Sequence, residues 1–524
     1  MNYPTSIRII VLLSLFFLVE FTSAKSQGKC NAGRVVALDL QSPDVQFPTT
    51  KRIPLDWKAF PVASNGAITQ LNFPKLKPDS QRLWLRITAA IDFREEFLIN
   101  AILPATGKII GQFDIRYSHP FQPFQIAIES IYLNEINANG IALQMVKGKT
   151  DAWFFLPDKK RIDSKGLQPH ILIQSDIDKN DAFQNNMLSM NSIAPFGWIS
   201  GCVMDALLER SMQGDKKAQT ILKKQLACFL DSQKGFRFEN PMTEPRDGTL
   251  NSIEDFLPFA AIANLYPTHP SVQIALDYLK KKELVSGEIA SWNELTTEGC
   301  YCISYPLAAI AVQRNDGELA QKALNQLLFR IKLLHINNIV YQRSTFDGHR
   351  AFANWGRGVT WYLLGMVKTI KTLQKGHFEN LEGIDSVINE FQQVAKTALS
   401  YQSSEGLWYS YIDRPETGVD ASASAGIATA IAEGVQLSLL DKSYIAKIKL
   451  TNQSLTKSIT PDGFLTNISQ LNRGGEALQA NGYRVISQFG MGLLAQLKFN
   501  IDLLDKSNRF TVETDSKFIG EIDI

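Results

Sequence analysis

Hydrophobic residues recur with the 3.6-residue period of an amphipathic helix over most of the chain after residue 195. Helix-start signals accompany this period, since Asp420 suits an N-cap and Pro270 suits a first helical turn. The pattern predicts helices at 198–212, 215–231, 252–265, 270–284, 298–313, 316–334, 358–374, 383–402, 420–439, 442–459 and 483–497. A twelfth helix either lies within 171–195 or is irregular.

Turns between the predicted helices share one format, in which a Gly or Asn closes a helix and an extended apolar segment follows. These turns lie at Lys234–Phe238, Ser286–Ile289, Asn337–Tyr341, Glu405–Trp408 and Asp462–Leu465. They recur roughly every 50 to 70 residues, which is the length of a helical hairpin with its loop. Six such hairpins closed into a ring would form an (α/α)6 barrel over residues 195–505, with one set of inner-helix ends around a common pit.

Residues 30–165 have the shorter period of β-strands. Polar and apolar side chains alternate along Leu83–Thr88 and Phe124–Ile128, and two apolar runs at 97–103 and 109–113 flank a turn. Several short strands with turn signals between them predict a β-sandwich. The predicted fold class is therefore an α+β multidomain protein, in which an N-terminal β-sandwich precedes an all-α (α/α)6 barrel, or six-hairpin toroid.

The first 24 residues have the three-part layout of a secretory signal peptide. Met1–Arg8 carries one positive charge, Ile9–Phe21 is almost wholly apolar, and Thr22–Ala24 offers small residues for cleavage. The apolar run is shorter than the roughly 20 residues that a membrane-spanning helix needs. We therefore expect an exported protein, periplasmic or secreted, without stable membrane insertion. An uncleaved anchor is the alternative.

The composition narrows the classes of partner and cofactor. The net charge is +2 and no tract of Lys and Arg is present, so nucleic acid is not an expected partner. Six histidines without a spaced Cys/His cluster indicate neither a metal site nor a cofactor. Cys202 and Cys228 fall at comparable heights on consecutive predicted helices, where they either pair or remain buried free thiols. The sequence does not fix the oligomeric state, and a monomer is the default expectation.

One heptad, Trp355-Gly356-Arg357-Gly358-Val359-Thr360-Trp361, combines residue types that recognise an acidic sugar. A guanidinium can hold a carboxylate through two parallel hydrogen bonds, and an indole can pack on the apolar face of a sugar ring. A helix that begins near Gly358 would place Arg357 at its mouth and Trp361 one turn inside. The alternative is a pair of packing glycines next to a surface salt bridge.

This heptad is followed by Glu405-Gly406-Leu407-Trp408 and by Asp420-Ala421-Ser422-Ala423-Ser424-Ala425. Together with the segment Tyr483–Leu494, these motifs resemble the unsaturated glucuronyl and rhamnogalacturonyl hydrolases of glycoside hydrolase families 88 and 105. The resemblance covers roughly residues 195–500, and it implies an (α/α)6 barrel that binds an acidic oligosaccharide. It implies that Arg357 holds the sugar carboxylate and that Trp361 packs on the ring. Further candidates for the pit are Trp292, Trp355, Trp408 and Arg484, although a lone tryptophan is more often part of a core.

The resemblance also assigns candidate catalytic residues, with two departures from the families' pattern. Glu298 takes the place of their catalytic aspartate, on a stem one methylene longer. Asp255 is our choice for a second carboxylate at the start of the preceding inner helix, and Glu254 is the alternative. Gln342 occupies the place of the families' histidine, while His349 lies near it but shifted.

The reaction that the resemblance implies begins at the C4=C5 double bond of a terminal unsaturated uronyl residue. One carboxylic acid protonates C4, water adds at C5, and the resulting hemiketal rearranges and expels the neighbouring sugar. Two other functions stay open: a glucuronidase that cleaves saturated uronides, and a polysaccharide-binding protein without catalysis. The β-sandwich is either a carbohydrate-binding module, by analogy with other exported glycosidases, or a domain that only packs against the barrel.

Overall fold

Short runs of β-branched and aromatic residues form antiparallel strands in the first third of the chain. The computed structural model describes residues 33–76, 82–174, 177–231, 233–291 and 293–518, without the side chains of 507–518. We call residues 33–173 the β segment; one helix, α1 (Leu133–Asn139), interrupts it. Its strands are β1 (Gly33–Val36), β2 (Asp39–Gln41), β3 (Ala59–Val62), β4 (Thr69–Asn72), β5 (Leu83–Thr88), β6 (Glu96–Ile102), β7 (Ile109–Arg116), β8 (Pro123–Ile128), β9 (Ile141–Lys147), β10 (Ala152–Phe155) and β11 (His170–Ile173).

Within the described residues, the β segment contains a four-stranded sheet of order β1-β11-β5-β8 and a five-stranded sheet of order β2-β4-β9-β6-β7. Strand β5 lies where the alternation predicted it, and its Leu85 is paired with Ile126 on one side and Ile171 on the other. The predicted hairpin is confirmed, because β6 pairs with β7 through partners such as Ile99 and Phe113. Strand β11 extends the first sheet past the predicted boundary at residue 165.

The rest of the chain is mainly helical, and the predicted helices are confirmed in order. The expected twelfth helix is α2, inside the interval left open for it. The helices are α2 (Lys179–Met187), α3 (Trp198–Met212), α4 (Lys216–Ala227), α5 (Phe259–Leu265), α6 (Pro270–Lys282), α7 (Tyr305–Arg314), α8 (Gly317–Leu334), α9 (Gly356–Lys375), α10 (Ile384–Ser400), α11 (Ala421–Gln436), α12 (Ile445–Lys457), α13 (Gly475–Ala480) and α14 (Gln488–Phe518).

Short strands form between these helices. They are β12 (Leu230–Asp231), β13 (Gly235–Glu239), β14 (Pro245–Asp247), β15 (Glu294–Thr296), β16 (His335–Ile336), β17 (Ile339–Thr345), β18 (Arg350–Ala353), β19 (Ile468–Ser469) and β20 (Arg484–Val485). The last helix begins later than predicted, at Gln488, because β20 pairs with β19 ahead of it.

Two predicted helices begin with a different kind of turn, and a proline accounts for each. The interval 252–265 starts with a 3-10 turn at Ile253–Phe256, and α5 follows Pro258, whose ring disfavours helical geometry at the residue before it. The interval 298–313 starts with a π-helical turn at Cys300–Ser304, ahead of Pro306 in α7. Proline cannot donate the hydrogen bond that would continue a regular helix.

Six helices contact one another in sequence to form a closed ring, in the order α3, α5, α7, α9, α11 and α14, with α14 returning to α3. We call these six helices the inner ring; α4, α8, α10 and α12 pack outside it. The inner helices approach closely at glycines: a Cβ on Gly365 would lie 2.2 Å from the carbonyl carbon of Cys300. This arrangement is the inner layer that the prediction of a six-hairpin toroid requires.

The turns that close the hairpins have the predicted backbone conformation. Gly235, Gly287, Asn338, Gly406 and Gly463 all have positive φ, between 62° at Asn338 and 97° at Gly287. Glycine and asparagine adopt this left-handed region at lower cost than other residues. The turn format therefore marks real chain reversals at one end of the inner ring.

The β segment packs against the end of the inner ring at which the inner helices begin. At the start of α14, the Nε2 of Gln488 donates to the carbonyl of Phe121 at 2.6 Å, and His119 is hydrogen-bonded to Ser487 at 2.9 Å. In the preceding loop, the buried carboxylate of Asp462 accepts from Arg34 and Arg86. The β segment and the inner ring therefore form one compact unit, with the β segment over the ring entrance.

The described ranges contain no helix that is long and apolar enough to cross a membrane. Cys202, Cys228, Cys300 and Cys302 are all free thiols, so the open question of a Cys202–Cys228 pair is answered in favour of free cysteines. The predicted signal peptide lies outside the described residues.

Candidate active site

Glu298 is buried at the entrance end of the inner ring, between β15 and the π-helical turn, with 8% of its surface exposed. Its Oε2 atom accepts a hydrogen bond from Nε2 of Gln342 at 2.7 Å. The backbone fixes this pair, because the Thr297 amide donates to the Gln342 carbonyl at 2.8 Å. In turn, Oε1 of Gln342 accepts from Nε of Arg343 at 2.7 Å. Gln342, which occupies the place of the families' histidine, thus lies beside the predicted catalytic acid.

Glu254 is the second carboxyl group that interacts with Glu298. It belongs to the 3-10 turn before α5, and its side chain is enclosed by protein but accessible from an adjoining cavity. Burial, followed by the negative charges of Glu298 and Asp255, raises the pKa of Glu254 to about 8. Burial also raises the pKa of Glu298, against the opposing effect of the Gln342 hydrogen bond. The negative charge of Glu298 thus disfavours ionisation of Glu254.

Asp255, our first choice for this second carboxylate, stabilises the 3-10 turn to which it belongs. Its Oδ2 atom accepts from the backbone amides of Asn251 and Ser252, each at 2.8 Å, in a capping interaction at the turn. Burial raises the pKa of Asp255 to about 6, while these two hydrogen bonds lower it. Asp255 lines the same cavity as Glu254. The geometry nevertheless favours Glu254, the alternative, as the partner of Glu298.

Arg357 lies in the first turn of α9 as predicted, but its side chain is not free to grip a ligand. The guanidinium is 1% exposed, and both terminal nitrogens donate to backbone carbonyls, Nη1 to Ser469 and Nη2 to Gln470 at 2.7 Å. It also lies 4.6 Å above the ring of Trp355. The bidentate carboxylate contact that the sequence suggested is therefore occupied by the chain itself. Arg357 acts here as a fixed positive charge that lowers the pKa of Glu298.

The predicted sugar platforms are buried in packing contacts. Trp361 stacks on Tyr301 with ring centroids 5.9 Å apart, which covers one of its faces. Trp355 donates from Nε1 to Gln479, and Trp408 donates from Nε1 to the Ala398 carbonyl at 2.7 Å. Both indoles are at most 2% exposed. In the structure these three tryptophans belong to the protein interior rather than to a surface that a sugar can reach.

Arg484 and His349 form hydrogen bonds to other parts of the chain. Arg484 donates to the carbonyls of Val419 and Thr417, both at 2.6 Å, and so fixes two loops together. His349 is exposed at the turn between β17 and β18, where its backbone amide donates to Thr345. Its shifted position in the sequence therefore takes it out of the pit. Trp292 lies outside the described residues.

A cavity of about 250 Å³ adjoins Glu254 at the ring entrance. This volume is just below the range of about 300–1,000 Å³ that is usual for small-molecule sites. The half-buried indole of Trp198 forms one wall, in edge-to-face contact with Trp361 at 5.6 Å. Further lining residues come from the β segment and the loop before α13, notably Arg94, His119 and Arg473. The sequence analysis did not identify Trp198 or Arg473, since neither belongs to a recognisable motif.

Comparison with known proteins agrees with this architecture. The model of the family described as Glycosyl Hydrolase Family 88 matches residues 303–502. The unsaturated rhamnogalacturonyl hydrolase YesR of Bacillus subtilis is 24% identical over 181 residues, which is 33% of this chain and 48% of YesR. The matched region thus spans about half the length of this curated relative.

The helical part of this chain is similar to glycoside hydrolase families 88 and 105. A possible family 105 member from Salmonella enterica serovar Paratyphi A has a TM-score of 0.51 at 19% identity, over 59% of this chain and 84% of that chain. A family 105 glycoside hydrolase from C. acetobutylicum has a TM-score of 0.52 at 17% identity, over 62% of this chain and 98% of that chain. These structures share the fold of the helical part.

The family 88 match includes Gln342, Arg357 and Trp361 but begins after Glu254 and Glu298. The assignment of the acid pair therefore depends on the geometry described above. No group of three or more His, Cys, Asp or Glu side chains in the part of the chain that the structure describes is arranged to hold a metal ion.

Proposed function

We propose that this protein is a glycoside hydrolase that hydrates the C4=C5 double bond of a terminal unsaturated uronyl residue and so releases it from a short oligosaccharide. The observation that carries the proposal is the buried Glu298, held by Gln342 at the ring entrance, with the half-buried Glu254 as its acidic neighbour. Burial raises the pKa of both carboxyl groups. The relation to families 88 and 105 supports the substrate class. The reaction needs a carboxylic acid that keeps its proton near neutral pH, and this pair meets that need.

In the proposed mechanism, Glu298 delivers the shared proton to C4 of the double bond, and positive charge develops at C5 and the ring oxygen. A water molecule then bonds to C5 through its oxygen and returns a proton to the Glu298 carboxylate. Gln342 holds Oε2 of Glu298, so that the acid is oriented before the substrate arrives. The hemiketal formed at C5 opens, and its rearrangement expels the neighbouring sugar.

The test of this function is a side-by-side assay of unsaturated and saturated uronides with the purified protein. Our proposal predicts that the absorbance of the conjugated double bond decays with unsaturated disaccharides only. Release of saturated glucuronic acid would instead identify an ordinary glucuronidase. Binding of either sugar without turnover would identify a non-catalytic binding protein.

The pH dependence of kcat provides a separate prediction, because the pKa of Glu254 is raised from 4.5 to about 8. The pair keeps its proton up to about pH 8, and activity falls as pH rises through that value, since the acid form is then lost. The same carboxyl group gives its proton to C4 and then takes one from water, so protonation of the pair at low pH does not block the reaction. We therefore expect a profile with a basic limb near pH 8, measured by the decay of double-bond absorbance. A basic limb near pH 5 would contradict a shared proton.

Two further proposals concern the N-terminal third. The two sheets of the β segment are proposed to face each other as a β-sandwich, which fits the burial of every second side chain from Leu83 to Ile87 on β5 and from Phe97 to Ala101 on β6. We also propose that residues 1–24 direct export and are removed, on the basis of their charge and hydropathy pattern. N-terminal sequencing of the exported protein tests the second proposal, and Lys25 is the expected first residue.

A further inference from the structure

The cavity next to Glu254 has walls from both halves of the protein. Trp198, Glu254 and Asp255 come from the entrance end of the inner ring, whereas Arg94 and His119 come from the β segment. Arg473 completes the lining from the loop that precedes α13. The β segment therefore does more than cover the ring entrance, because it supplies side chains to the cavity that Glu254 lines.

Arg473 and Arg94 lie side by side in this lining. Nη2 of Arg473 and Nη2 of Arg94 both donate to the carbonyl oxygen of Pro241, at 3.1 and 2.8 Å. Like charges this close repel each other, and burial together with the charge of Arg94 lowers the pKa of Arg473 to about 10. Each guanidinium keeps its charge at neutral pH, so the two side chains form a positive wall.

Three carboxyl groups line the same cavity: Glu239 pairs with Arg52, Asp255 accepts from backbone amides, and Glu254 attracts Arg473. Asp92 pairs with Arg94 at 2.8 Å but also with Lys51 at 2.5 Å, so this group of three carries a net positive charge. Within the described residues, Arg473 forms no ion pair, and its Nη1 atom is shielded from solvent without a hydrogen-bond partner. A buried guanidinium nitrogen without an acceptor is costly, and an incoming anion would relieve that cost.

The geometry points to Arg473, assisted by Arg94, as the site that binds the carboxylate of the substrate's terminal uronyl residue. This inference rests on the proposed function. It assigns to Arg473 the binding of the carboxylate, because both terminal nitrogens of Arg357 already donate to backbone carbonyls. A carboxylate in contact with Arg473 would place the sugar ring in the cavity, against Trp198 and next to Glu254. The β segment would then contribute to substrate specificity through Arg94.

The experiment compares an unsaturated uronyl disaccharide with its methyl ester, which keeps the double bond and removes the negative charge. For the wild-type protein we expect a KM at least about 10-fold lower for the acid than for the ester, the size expected for a charged hydrogen bond. Arg473→Gln should raise the KM of the acid about 10-fold or more and leave that of the ester unchanged. Arg94→Gln should act in the same direction to a smaller extent, and Arg473→Lys should retain part of the preference.

Arg116→Gln is the matched control. Arg116 lies in the β segment, as Arg94 does, and it also pairs with an aspartate, Asp114, but it does not line the cavity. It should leave both KM values unchanged. Equal losses for acid and ester in Arg473→Gln would overturn the proposal in favour of a structural role. An unchanged preference for the acid in both Arg473→Gln and Arg94→Gln would overturn it as well. Should Arg473→Gln fail to fold, as judged by its melting temperature, Arg94→Gln carries the test.

Calorimetric titration with the same acid and ester separates this inference from the proposed function. If the wild-type protein turns over neither compound, the proposed function fails, whereas the binding preference is still measured. A preference for the acid that Arg473→Gln removes would then support the anion site on its own. Equal binding of acid and ester by the wild-type protein would reject it.

Discussion

Replacing Glu298 by Gln is expected to lower kcat for an unsaturated uronyl disaccharide by about 100-fold to 10,000-fold, the usual contribution of a positioned general acid. The amide cannot deliver a proton to C4, but its Oε1 atom can still accept the hydrogen bond from Gln342 that now lies at 2.7 Å. The site should therefore keep its shape while losing its acid. Initial rates of double-bond decay at saturating substrate measure the effect.

The matched control is Glu390→Gln. Glu390 is a largely buried glutamate on α10 that accepts a hydrogen bond from Tyr362 at 2.8 Å, outside the acid pair. We expect its kcat to stay within about 2-fold of the wild-type value, because the amide oxygen can still accept the hydrogen bond from Tyr362 and the change lies outside the acid pair. Wild-type activity in Glu298→Gln would reject Glu298 as the proton donor.

Glu254→Gln distinguishes the roles within the pair. Removal of one carboxyl group removes the like charge that disfavours ionisation of the other, so Glu298 should lose its proton at lower pH. The basic limb of the pH profile is then expected to move from about 8 toward lower pH, with activity retained at acidic pH. The reverse pattern, with activity abolished in Glu254→Gln and only shifted in Glu298→Gln, would make Glu254 the donor.

Replacing Asp462 by Ala is expected to lower the free energy of unfolding by about 3–5 kcal/mol. Asp462 is buried, and it accepts from Arg34 at 2.9 Å and from the fully buried Arg86 at 2.5 Å. Without the carboxylate, two guanidinium groups face each other where the β segment meets the inner ring. Urea unfolding at neutral pH, followed by circular dichroism, measures the loss.

An exposed ion pair between the same two parts of the protein is the control. Asp56, with 65% of its side chain exposed, binds Arg237 at 2.7 Å. Asp56→Ala should cost at most about 1 kcal/mol, because solvent screens such pairs. The double variant Arg86→Met with Asp462→Leu should be more stable than Asp462→Ala, since it removes a buried charge of each sign. Equal losses for Asp56→Ala and Asp462→Ala would contradict this account of the contact.

The helical part of the fold was predictable because its signals are local. Inner helices are apolar around most of their surface, and their hairpins end at residues such as Gly287 and Gly463, whose positive φ depends only on the chain nearby. The prediction was less accurate where a helix contains proline. Pro306 has no backbone N–H to donate, and a π-helical turn precedes it, but the hydrophobic period of the sequence does not reveal this change.

The site was predictable only in part, because contacts distant in sequence decide which side chains are free. The family motifs identified Gln342 and Glu298 as separate candidates, and the structure shows that they are hydrogen-bonded to each other. Whether Arg357 can bind a ligand depends on the carbonyls of Ser469 and Gln470, which accept its hydrogen bonds. Both residues lie more than 100 positions away in the sequence, so no local pattern predicts these contacts. The same holds for Arg473, which meets Arg94 through the carbonyl of Pro241.

Proton delivery to C4 can be observed directly by running the reaction in deuterium oxide and examining the first product by nuclear magnetic resonance. The account predicts that the wild-type protein places one deuterium at C4 as the double bond disappears, and that Glu298→Gln forms no such product at a comparable rate. A released sugar that retains its C4=C5 double bond would contradict it.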